Sequence, residues 1–273
     1  MSEKIRLDVF MAEKKITDSR EKARALIKNG QVLINGQPCK KAGFPVDIQN
    51  HKIEITGEQL RYVSRGGLKL EKALEKFNID LKDKIAADIG ASTGGFTDCM
   101  LKCGAKKVFA IDVGTNQLDK RLAEDDRVVN LEKTNIRYVT PDTLGELVDF
   151  ASVDVSFISL KYVIPIVGNL LNQKGQAAAL IKPQFEAGRS KLNKKGVVKD
   201  INVHYEVCLS IIEFIKDSGL YPTDFDFSPI KGPEGNIEYL VYMKKERTIS
   251  LVSEDKIKET VRLSHSYFKG ADN

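Results

Sequence analysis

Five short apolar runs follow one another through the middle of this chain, with helical periodicity between them. The runs are residues 85–89, 108–111, 128–131, 150–155 and 177–181, and the helical segments are about 94–103, 116–124 and 158–171. A further helix is predicted over 202–216, followed by two closing strands at 225–227 and 237–243. Strands that alternate with helices predict an open, mostly parallel sheet covered on both faces. We therefore expect an α/β domain with a seven-stranded, Rossmann-like sheet.

A glycine-rich turn follows the first of these strands and predicts a cofactor site. Glycines at the carboxyl end of a strand let the backbone approach a ligand closely, and an acid ending the next strand can accept both ribose hydroxyls of an adenosine. The predicted cofactor-binding residues are Asp88, Gly90, Ser92, Thr93, Gly94, Gly95, Phe96, Asp112 and Asp154. No Gly-Lys-Ser/Thr follows the turn, which excludes a Walker loop, and the spacing is not that of a dinucleotide fingerprint. A nicotinamide site and a mere tight turn both stay open on this pattern.

Charged residues at the ends of later strands predict a catalytic cluster. Asp154 follows the fourth strand, Lys182 follows the fifth, and Glu238 opens the last strand after a glycine-containing loop at 231–236. Carboxyl strand ends converge on the ligand crevice of an open α/β sheet, so these side chains should be neighbours. Lys69 lies near the start of a predicted helix, where the helix dipole favours anions. It is either a surface lysine or the partner of an anionic group nearby.

The excess positive charge lies in the first quarter of the chain. Residues 1–76 hold 16 Lys/Arg against 10 Asp/Glu, whereas the whole chain has a net charge of +5. Helical patterns at 4–13 and from Asp18 to Gly30, an Asn35-Gly36 hairpin signal and a strand at 52–56 predict a small α+β unit. Cations on such a unit suit phosphate contacts, although a solvated basic face is the alternative. The residues predicted to contact nucleic acid, which the resemblance given below implies to be RNA, are Arg6, Arg20, Arg24, Lys28 and Arg65.

The chain is divided by these patterns into residues 1–59, a flexible joint at 60–67 and a catalytic domain at 68–273. No apolar stretch is long enough for a membrane span, and the N-terminus lacks the apolar core of a secretory signal. Four cysteines in 273 residues do not form a disulfide scaffold. We therefore expect a cytoplasmic protein that neither enters a membrane nor holds a metal, since Cys99 and Cys103 have no histidine pair beside them.

Two groups of motifs resemble known families. Arg6-Leu7-Asp8, Ser19-Arg20 and Val32-x-x-Asn35-Gly36 are similar to the alpha-L RNA-binding domain first described in a ribosomal protein. The stretches SRGGLKL, DIGASTGGFTD, DVSFISL, LIKPQFE and GPEGNIE resemble the TlyA (haemolysin A) family of ribosomal RNA 2′-O-methyltransferases, which are related to FtsJ. Some members of that family have a tryptophan before SRGG, whereas this chain has no tryptophan and carries Tyr62 there.

The resemblance implies a class I methyltransferase that uses S-adenosylmethionine to methylate a ribose 2′-hydroxyl, at cytidine, in the RNA of ribosomal subunits. It implies that Lys69, Asp154, Lys182 and Glu238 are the catalytic set. Lys182 would orient the hydroxyl and either take its proton or stabilise the alkoxide, and the sequence leaves that choice open. A non-catalytic RNA-binding or assembly factor with the same fold is the alternative function. The family's older name suggests a membrane-acting haemolysin, but no long amphipathic basic helix supports it. The oligomeric state is not predicted.

Overall fold

The computed structural model describes residues 4–17, 19–28, 30–47, 50–55 and 61–271. The chain divides into two compact units, residues 1–59 (unit 1) and 60–273 (unit 2).

Unit 1 is a small α+β structure with two short sheets. Its strands are β1 (Lys4–Arg6), β2 (Val32–Ile34), β3 (Gln37–Pro38), β4 (Pro45–Asp47) and β5 (Ile53–Ile55), and its helices are α1 (Leu7–Glu13) and α2 (Arg20–Lys28). Strand β1 pairs with β4, and β2 lies between β3 and β5. The predicted hairpin is present, since Asn35 and Gly36 have φ values of 50° and 79° between β2 and β3. Asp18, at which the second predicted helical pattern begins, lies outside the described residues.

One element of unit 1 differs from the prediction. The sequence pattern predicts a helix over 4–13, but Lys4–Arg6 is a strand and the helix begins at Leu7. The reason is pairing with a distant segment, because Lys4, Ile5 and Arg6 are opposite Asp47, Val46 and Pro45. Such a partner, about forty residues away, overrides local periodicity.

Unit 2 contains the expected seven-stranded sheet among its described residues. Its strands are β6 (Ile85–Ile89), β7 (Lys107–Ile111), β8 (Val128–Leu131), β9 (Val148–Val153), β10 (Leu171–Ile181), β11 (Tyr221–Phe227) and β12 (Tyr239–Lys244). Their order in the sheet is β11-β12-β10-β9-β6-β7-β8, with β12 antiparallel to both of its neighbours and the other pairs parallel. The predicted α/β fold is confirmed.

Helices cover both faces of this sheet. They are α3 (Gly67–Lys76), α4 (Gly95–Lys102), α5 (Lys120–Ala123), α6 (Pro141–Leu144), α7 (Ile164–Leu170), α8 (Pro183–Glu186), α9 (Ile201–Asp217) and α10 (Glu254–Ala271). On one face α7, α9 and α10 pack over Ala87, Ile89 and Val153. On the other face α3 and α4 pack over Ala86 and Phe150. Alternate residues of a strand point to opposite faces, so β6 contributes side chains to both cores. None of the described helices combines the length and apolar character that crossing a membrane requires.

Residues 61–66 are packed rather than loose, which differs from the expected flexible joint. Tyr62 is buried in the α3–α4 core and its hydroxyl donates a hydrogen bond to Glu71 Oε1 (2.9 Å). The Val63 N–H donates to Asp98 Oδ2 (2.9 Å), which fixes the segment to α4. The glycine and serine content of this segment suggested mobility, but an aromatic side chain supplies the burial that orders it. Leu60, the first residue of the predicted joint, lies outside the described residues.

We predict that Gly67→Ala destabilises unit 2, although alanine is the better helix former. The Cβ of an alanine at position 67 would overlap the ring of Tyr62. Overpacking of this kind costs about 1–3 kcal/mol of the free energy of unfolding, more than the ~1 kcal/mol that helix propensity adds. Thermal and urea unfolding would measure it.

Gly270→Ala is the matched control for this substitution, because Gly270 is exposed on α10 and a Cβ there has no neighbour within 4 Å among the described residues. It should leave stability unchanged or raise it slightly. If Gly67→Ala were as stable as Gly270→Ala, the packing account of residues 61–67 would be wrong.

Candidate active site

The register of the sheet brings three loop residues side by side at one edge. Ile89 at the end of β6 is paired with Ile111 of β7 on one side and with Val153 of β9 on the other. The residues that follow them, Gly90, Asp112 and Asp154, therefore leave the sheet together at its carboxyl edge. This is the edge at which open α/β sheets bind ligands.

Glycine is required at position 90 on two grounds. Its φ is +88°, which side chains other than glycine rarely adopt. A Cβ there would lie 2.6 Å from the carbonyl oxygen of Asp154. The turn after β6 can thus lie against the end of β9 only if position 90 has no side chain.

A cavity of about 510 Å³ opens at this edge. The residues that line it are Ile89, Gly90, Ser92, Ile111, Asp112, Val113, Gln117, Thr134, Asn135, Ile136, Arg137, Asp154, Val155, Ser156, Phe157 and Ile158. Its size and its mixture of apolar walls with a few polar groups are those of a small-molecule site. Four predicted cofactor residues line it: Gly90, Ser92, Asp112 and Asp154.

Asp112 organises the loops on either side of this cavity. Its Oδ2 accepts a hydrogen bond from the Ser92 N–H (2.8 Å) and its Oδ1 accepts one from the Gly114 N–H (2.7 Å). A carboxylate has about four acceptor positions, so lone pairs remain for hydroxyl groups of a ligand.

Asp88 is placed differently from the expectation that it faces the cofactor. It is fully buried and does not line the cavity. Its Oδ2 accepts from the Thr97 hydroxyl (2.7 Å) and its Oδ1 from the Ser152 hydroxyl (3.2 Å). The reason is strand alternation: Ala87 and Ile89 face one core, so Asp88 faces α4 with Ala86. Asp88 holds the glycine-rich turn from below the cavity and does not face its interior.

The other predicted turn residues support the start of α4. Thr93, Gly94, Gly95 and Phe96 do not line the cavity. Gly94 is the left-handed residue that precedes α4, with φ 91°. Phe96 is buried in the α3–α4 core. These four residues determine the conformation of the turn but do not face the cavity.

Four charged side chains meet beside the cavity in an alternating chain. Lys182 Nζ lies 2.5 Å from Asp154 Oδ1, and Lys69 Nζ lies 3.5 Å from Asp154 Oδ2. Lys69 Nζ also donates to Glu238 Oε2 at 2.6 Å. Lys69, Lys182 and Glu238 are buried, whereas Asp154 is partly exposed towards the cavity. The structure thus brings together all four residues of the predicted catalytic set.

The surrounding elements explain how the four residues meet. Asp154 and Lys182 each follow a parallel strand. Because β12 is antiparallel to β10, with Ile181 opposite Tyr239, Glu238 lies at the same edge as Lys182. Lys69 extends from the first turn of α3, so the anionic partner that its position suggested is present. A Cβ at Gly232 would overlap the Glu238 carboxylate, so the loop at 231–236 closes over it.

Neighbouring charges of opposite sign in this cluster shift each other's pKa values towards the charged forms. Burial alone would raise the pKa of Asp154, but Lys182 and Lys69 outweigh it and hold that pKa below its usual value. Burial would lower the pKa of Lys69, but Asp154 and Glu238 outweigh it and raise that pKa. Lys69 is therefore a permanent ammonium group, and Asp154 is a permanent carboxylate, at neutral pH.

Several residues that touch the cavity were not predicted. Ser156 accepts a hydrogen bond from Lys182 Nζ (3.2 Å). Phe157 is 90% exposed, has a φ of 64°, and leans on Phe185 with a ring separation of 5.0 Å. Val113 is 68% exposed. An aromatic residue three positions after the strand-end acid Asp154 was the signal available in the sequence, whereas the loop at 134–137 carries no distinctive residue type.

The remaining predicted residues lie elsewhere. Arg6, Arg20, Arg24 and Lys28 are in unit 1, and Arg65 is an exposed residue of the segment before α3. Among the described residues there is no group of three or more His, Cys, Asp or Glu side chains that could hold a metal ion.

Comparison with known proteins agrees with this geometry. Residues 62–245 match the model of the FtsJ-like methyltransferase family, and residues 5–51 match that of the S4 domain. A Bacillus subtilis protein named as a candidate rRNA methyltransferase, YqxC, is 48% identical over 89% of this chain and 86% of its own length. The 16S/23S rRNA (cytidine-2′-O)-methyltransferase TlyA of Mycobacterium tuberculosis is 37% identical over 90% of this chain and 92% of its own. A solved structure from Streptococcus thermophilus, named as a candidate hemolysin, is 44% identical with a TM-score of 0.79, covering 100% of this chain and 99% of its own.

The buried carboxyl of Asp88 predicts a pH-dependent stability. Burial raises the pKa of Asp88 from 3.8 to about 7, although hydrogen bonds from Thr97 and Ser152 oppose the shift. Between these values the folded chain holds a proton that the unfolded chain has released. The contribution of Asp88 to the free energy of unfolding is therefore greatest below pH 4 and is lost as the pH rises to about 7.

In the Asp88→Asn variant the side chain at position 88 is uncharged at every pH, so the variant does not lose this part of the free energy of unfolding as the pH rises. We expect its free energy of unfolding, relative to the unaltered protein, to rise between pH 4.5 and pH 8 in urea titrations. Asp126→Asn, at an exposed position, serves as the control and should show no such trend. Parallel curves for Asp88→Asn and the unaltered protein would contradict the prediction.

Proposed function

The chain belongs to the FtsJ-like methyltransferase family, and we propose that it methylates the ribose 2′-hydroxyl of a cytidine in ribosomal RNA with S-adenosylmethionine as the donor. The observation that carries the proposal is the alternating cluster of Lys182, Asp154, Lys69 and Glu238 beside the cavity. The relatives named as cytidine-2′-O-methyltransferases supply the class of substrate. The S4 domain in unit 1 supports structured RNA as the partner, within ribosomal subunits of the cytoplasm.

The cavity fits S-adenosylmethionine. The Asp112 carboxylate is the group for the two ribose hydroxyls, while Val113 and Ile136 supply apolar walls for a base. Gly90 lets the turn after β6 lie against the end of β9, which brings both loops to the wall of the cavity. When bound, the cofactor supplies a methyl group on a sulfonium, which is already a strong electrophile. The residues of the chain therefore have mainly to position the acceptor and manage its proton.

Lys182 acts on the acceptor oxygen. As the 2′-hydroxyl gives its proton to a neutral Lys182 or to solvent, its oxygen becomes an alkoxide that attacks the methyl group, and a cation aimed at that negative charge in a dry site stabilises it strongly. Asp154 and Ser156 orient Lys182 Nζ, at 2.5 and 3.2 Å. Lys69 and Glu238 complete the row of charges and keep Asp154 in place. Lys182 is therefore the catalytic residue of the cluster, and Lys69 and Glu238 are positioning residues.

We predict that Lys182→Ala loses at least about 100-fold in methyl transfer, since removal of one preorganised donor typically costs 10²–10³ in rate. The measurement is transfer of labelled methyl from S-adenosylmethionine to ribosomal subunits, with mapping of the modified nucleotide. Lys216→Ala, at an exposed position on α9, is the matched control and should keep the full rate.

Lys182→Arg separates the two roles of the lysine. An arginine keeps the positive charge but does not give up a proton at neutral pH. Substantial retained activity would favour charge stabilisation, and complete loss would favour a lysine that accepts the proton. A folded, cofactor-binding Lys182→Ala variant with the normal rate would contradict the mechanism. An unaltered protein that binds subunits without transferring methyl would instead be an assembly factor.

We also predict that Asp112→Asn weakens cofactor binding by at least about 10-fold, because a hydrogen bond to a charged group contributes roughly 1.5–3 kcal/mol. Calorimetric titration with S-adenosylmethionine would measure the change. Asp126→Asn removes an equal charge at an exposed position and should bind normally. Equal affinities for the two variants would exclude Asp112 from the cofactor site.

A further inference from the structure

A buried carboxylate in unit 1 holds three arginines at once. Asp8 is fully buried in the first turn of α1. Its Oδ2 accepts hydrogen bonds from Arg24 Nε (2.8 Å), Arg20 Nε (3.0 Å) and Arg6 Nη2 (3.3 Å), and its Oδ1 accepts one from Arg6 Nε (3.0 Å). We call these four residues the arginine cluster. Each arginine side chain is about half exposed.

The position of Asp8 follows from the core of unit 1. Its neighbours Leu7, Phe10 and Met11 are buried, and the Asp8 N–H donates to the Ala42 carbonyl. A carboxylate in this place must be paired, because an isolated buried charge is very costly. Burial alone would raise the pKa of Asp8, but the hydrogen bonds from Arg6, Arg24 and Arg20 outweigh it and hold that pKa well below its usual value.

The arginine cluster contains three positive charges and only one negative charge, unlike an ordinary ion pair. One cation would neutralise Asp8, yet three surround it and leave a net charge of +2. Three guanidinium groups that share one carboxylate repel each other. Their half-exposed side chains place the surplus charge at the surface of unit 1, where an anion from solution can reach it.

Arg20 and Arg24 have guanidinium donors that Asp8 does not bind. Arg20 and Arg24 each contact Asp8 through Nε, and within the described residues their Nη groups have no hydrogen-bond partner. Arg6 is further fixed by Gly43, since a Cβ at that glycine would lie 2.8 Å from Arg6 Nη1. A guanidinium whose Nε edge is held still offers the N–H groups of its outer edge, and that fork matches the oxygens of a phosphate.

We infer that Asp8 assembles Arg6, Arg20 and Arg24 into a preorganised phosphodiester site, with which unit 1 binds the backbone of structured RNA. The inference rests on the proposed function for the kind of RNA. It adds that the acidic residue of this basic surface strengthens RNA binding. The physical reason is that guanidinium groups already fixed in position lose less conformational entropy when they bind phosphate.

If the inference is right, removing the Asp8 charge weakens RNA binding, whereas the change in net charge alone would strengthen it. Asp8→Asn makes unit 1 more positive by one charge, and a charge-only view predicts tighter binding to RNA. If Asp8 instead orients the arginines, the same substitution weakens binding. Glu13→Gln is the matched control, because it removes one negative charge from an exposed position on the same helix, outside the arginine cluster.

The experiment measures binding of the full-length protein to a ribosomal RNA fragment by fluorescence anisotropy, over a series of KCl concentrations. We expect Asp8→Asn to bind about 10-fold more weakly, with a log–log salt slope smaller by roughly 0.7–0.9 for each phosphate that the variant no longer neutralises. Glu13→Gln should bind as tightly as the unaltered protein or slightly more tightly. Binding of Asp8→Asn at or above the affinity of the unaltered protein would overturn the inference.

A second variant covers the case in which Asp8→Asn unfolds unit 1. Arg24→Lys keeps the charge and a partner for Asp8, but a lysine has no second edge to offer a phosphate. We expect it to bind RNA several-fold more weakly with an unchanged melting temperature, and unchanged affinity would overturn the inference. Arg24→Lys should also bind S-adenosylmethionine normally, as a readout that unit 2 is intact.

The outcomes separate this inference from the proposed function. If the unaltered protein neither binds nor methylates ribosomal RNA, the proposed function fails. If it does both, and the Asp8 and Arg24 variants match it in affinity, only the role of the arginine cluster fails.

Discussion

Four buried or half-buried charges that neutralise one another set the geometry of the active edge. Lys182, Asp154, Lys69 and Glu238 alternate in sign, and each has an opposite charge within 3.5 Å. Removing one partner of a buried pair leaves an uncompensated charge, which costs several kcal/mol. The four charged residues are therefore stable in the interior only when all of them are present. Their contacts connect α3 to the ends of β9, β10 and β12. The same pairing holds Lys182 in place for the role that we propose for it.

The cavity beside this cluster depends on backbone as much as on side chains. The paired residues Ile89, Ile111 and Val153 align the three loops that follow them, and Gly90 allows two of those loops to touch. Asp112 then joins the loops through two backbone N–H groups. Such preorganisation suits a reaction whose electrophile is supplied by the cofactor, because positioning then accounts for much of the rate.

Both units surround a carboxylate with cations, but the balance of charge differs. At the active edge two lysines meet two carboxyl groups, so basic and acidic side chains are matched in number. In unit 1 three arginines meet Asp8 alone, so positive charge remains at the surface. The balanced cluster holds Lys182 in a fixed position, whereas the unbalanced one leaves guanidinium groups half exposed. The basic first quarter of the sequence thus includes one acidic residue on which its geometry depends.

Local chemistry along the chain was enough to predict the features that depend on neighbouring residues. Alternating apolar runs predicted the seven strands, Asn35-Gly36 predicted the hairpin, and strand-end positions predicted that Asp154, Lys182 and Glu238 lie near one another. Other features depend on packing between distant segments. Asp88 points towards α4 because side chains alternate along β6, so it is buried outside the cavity. Lys4–Arg6 forms a strand because it pairs with β4. Tyr62 is held by burial in the α3–α4 core. Packing also settled which charges meet: Lys69 contacts Glu238, 169 residues away, and Asp8 contacts Arg20 and Arg24 on another helix. Periodicity records which side of an element is buried, but the partner of a buried charge depends on how elements far apart in the chain pack together.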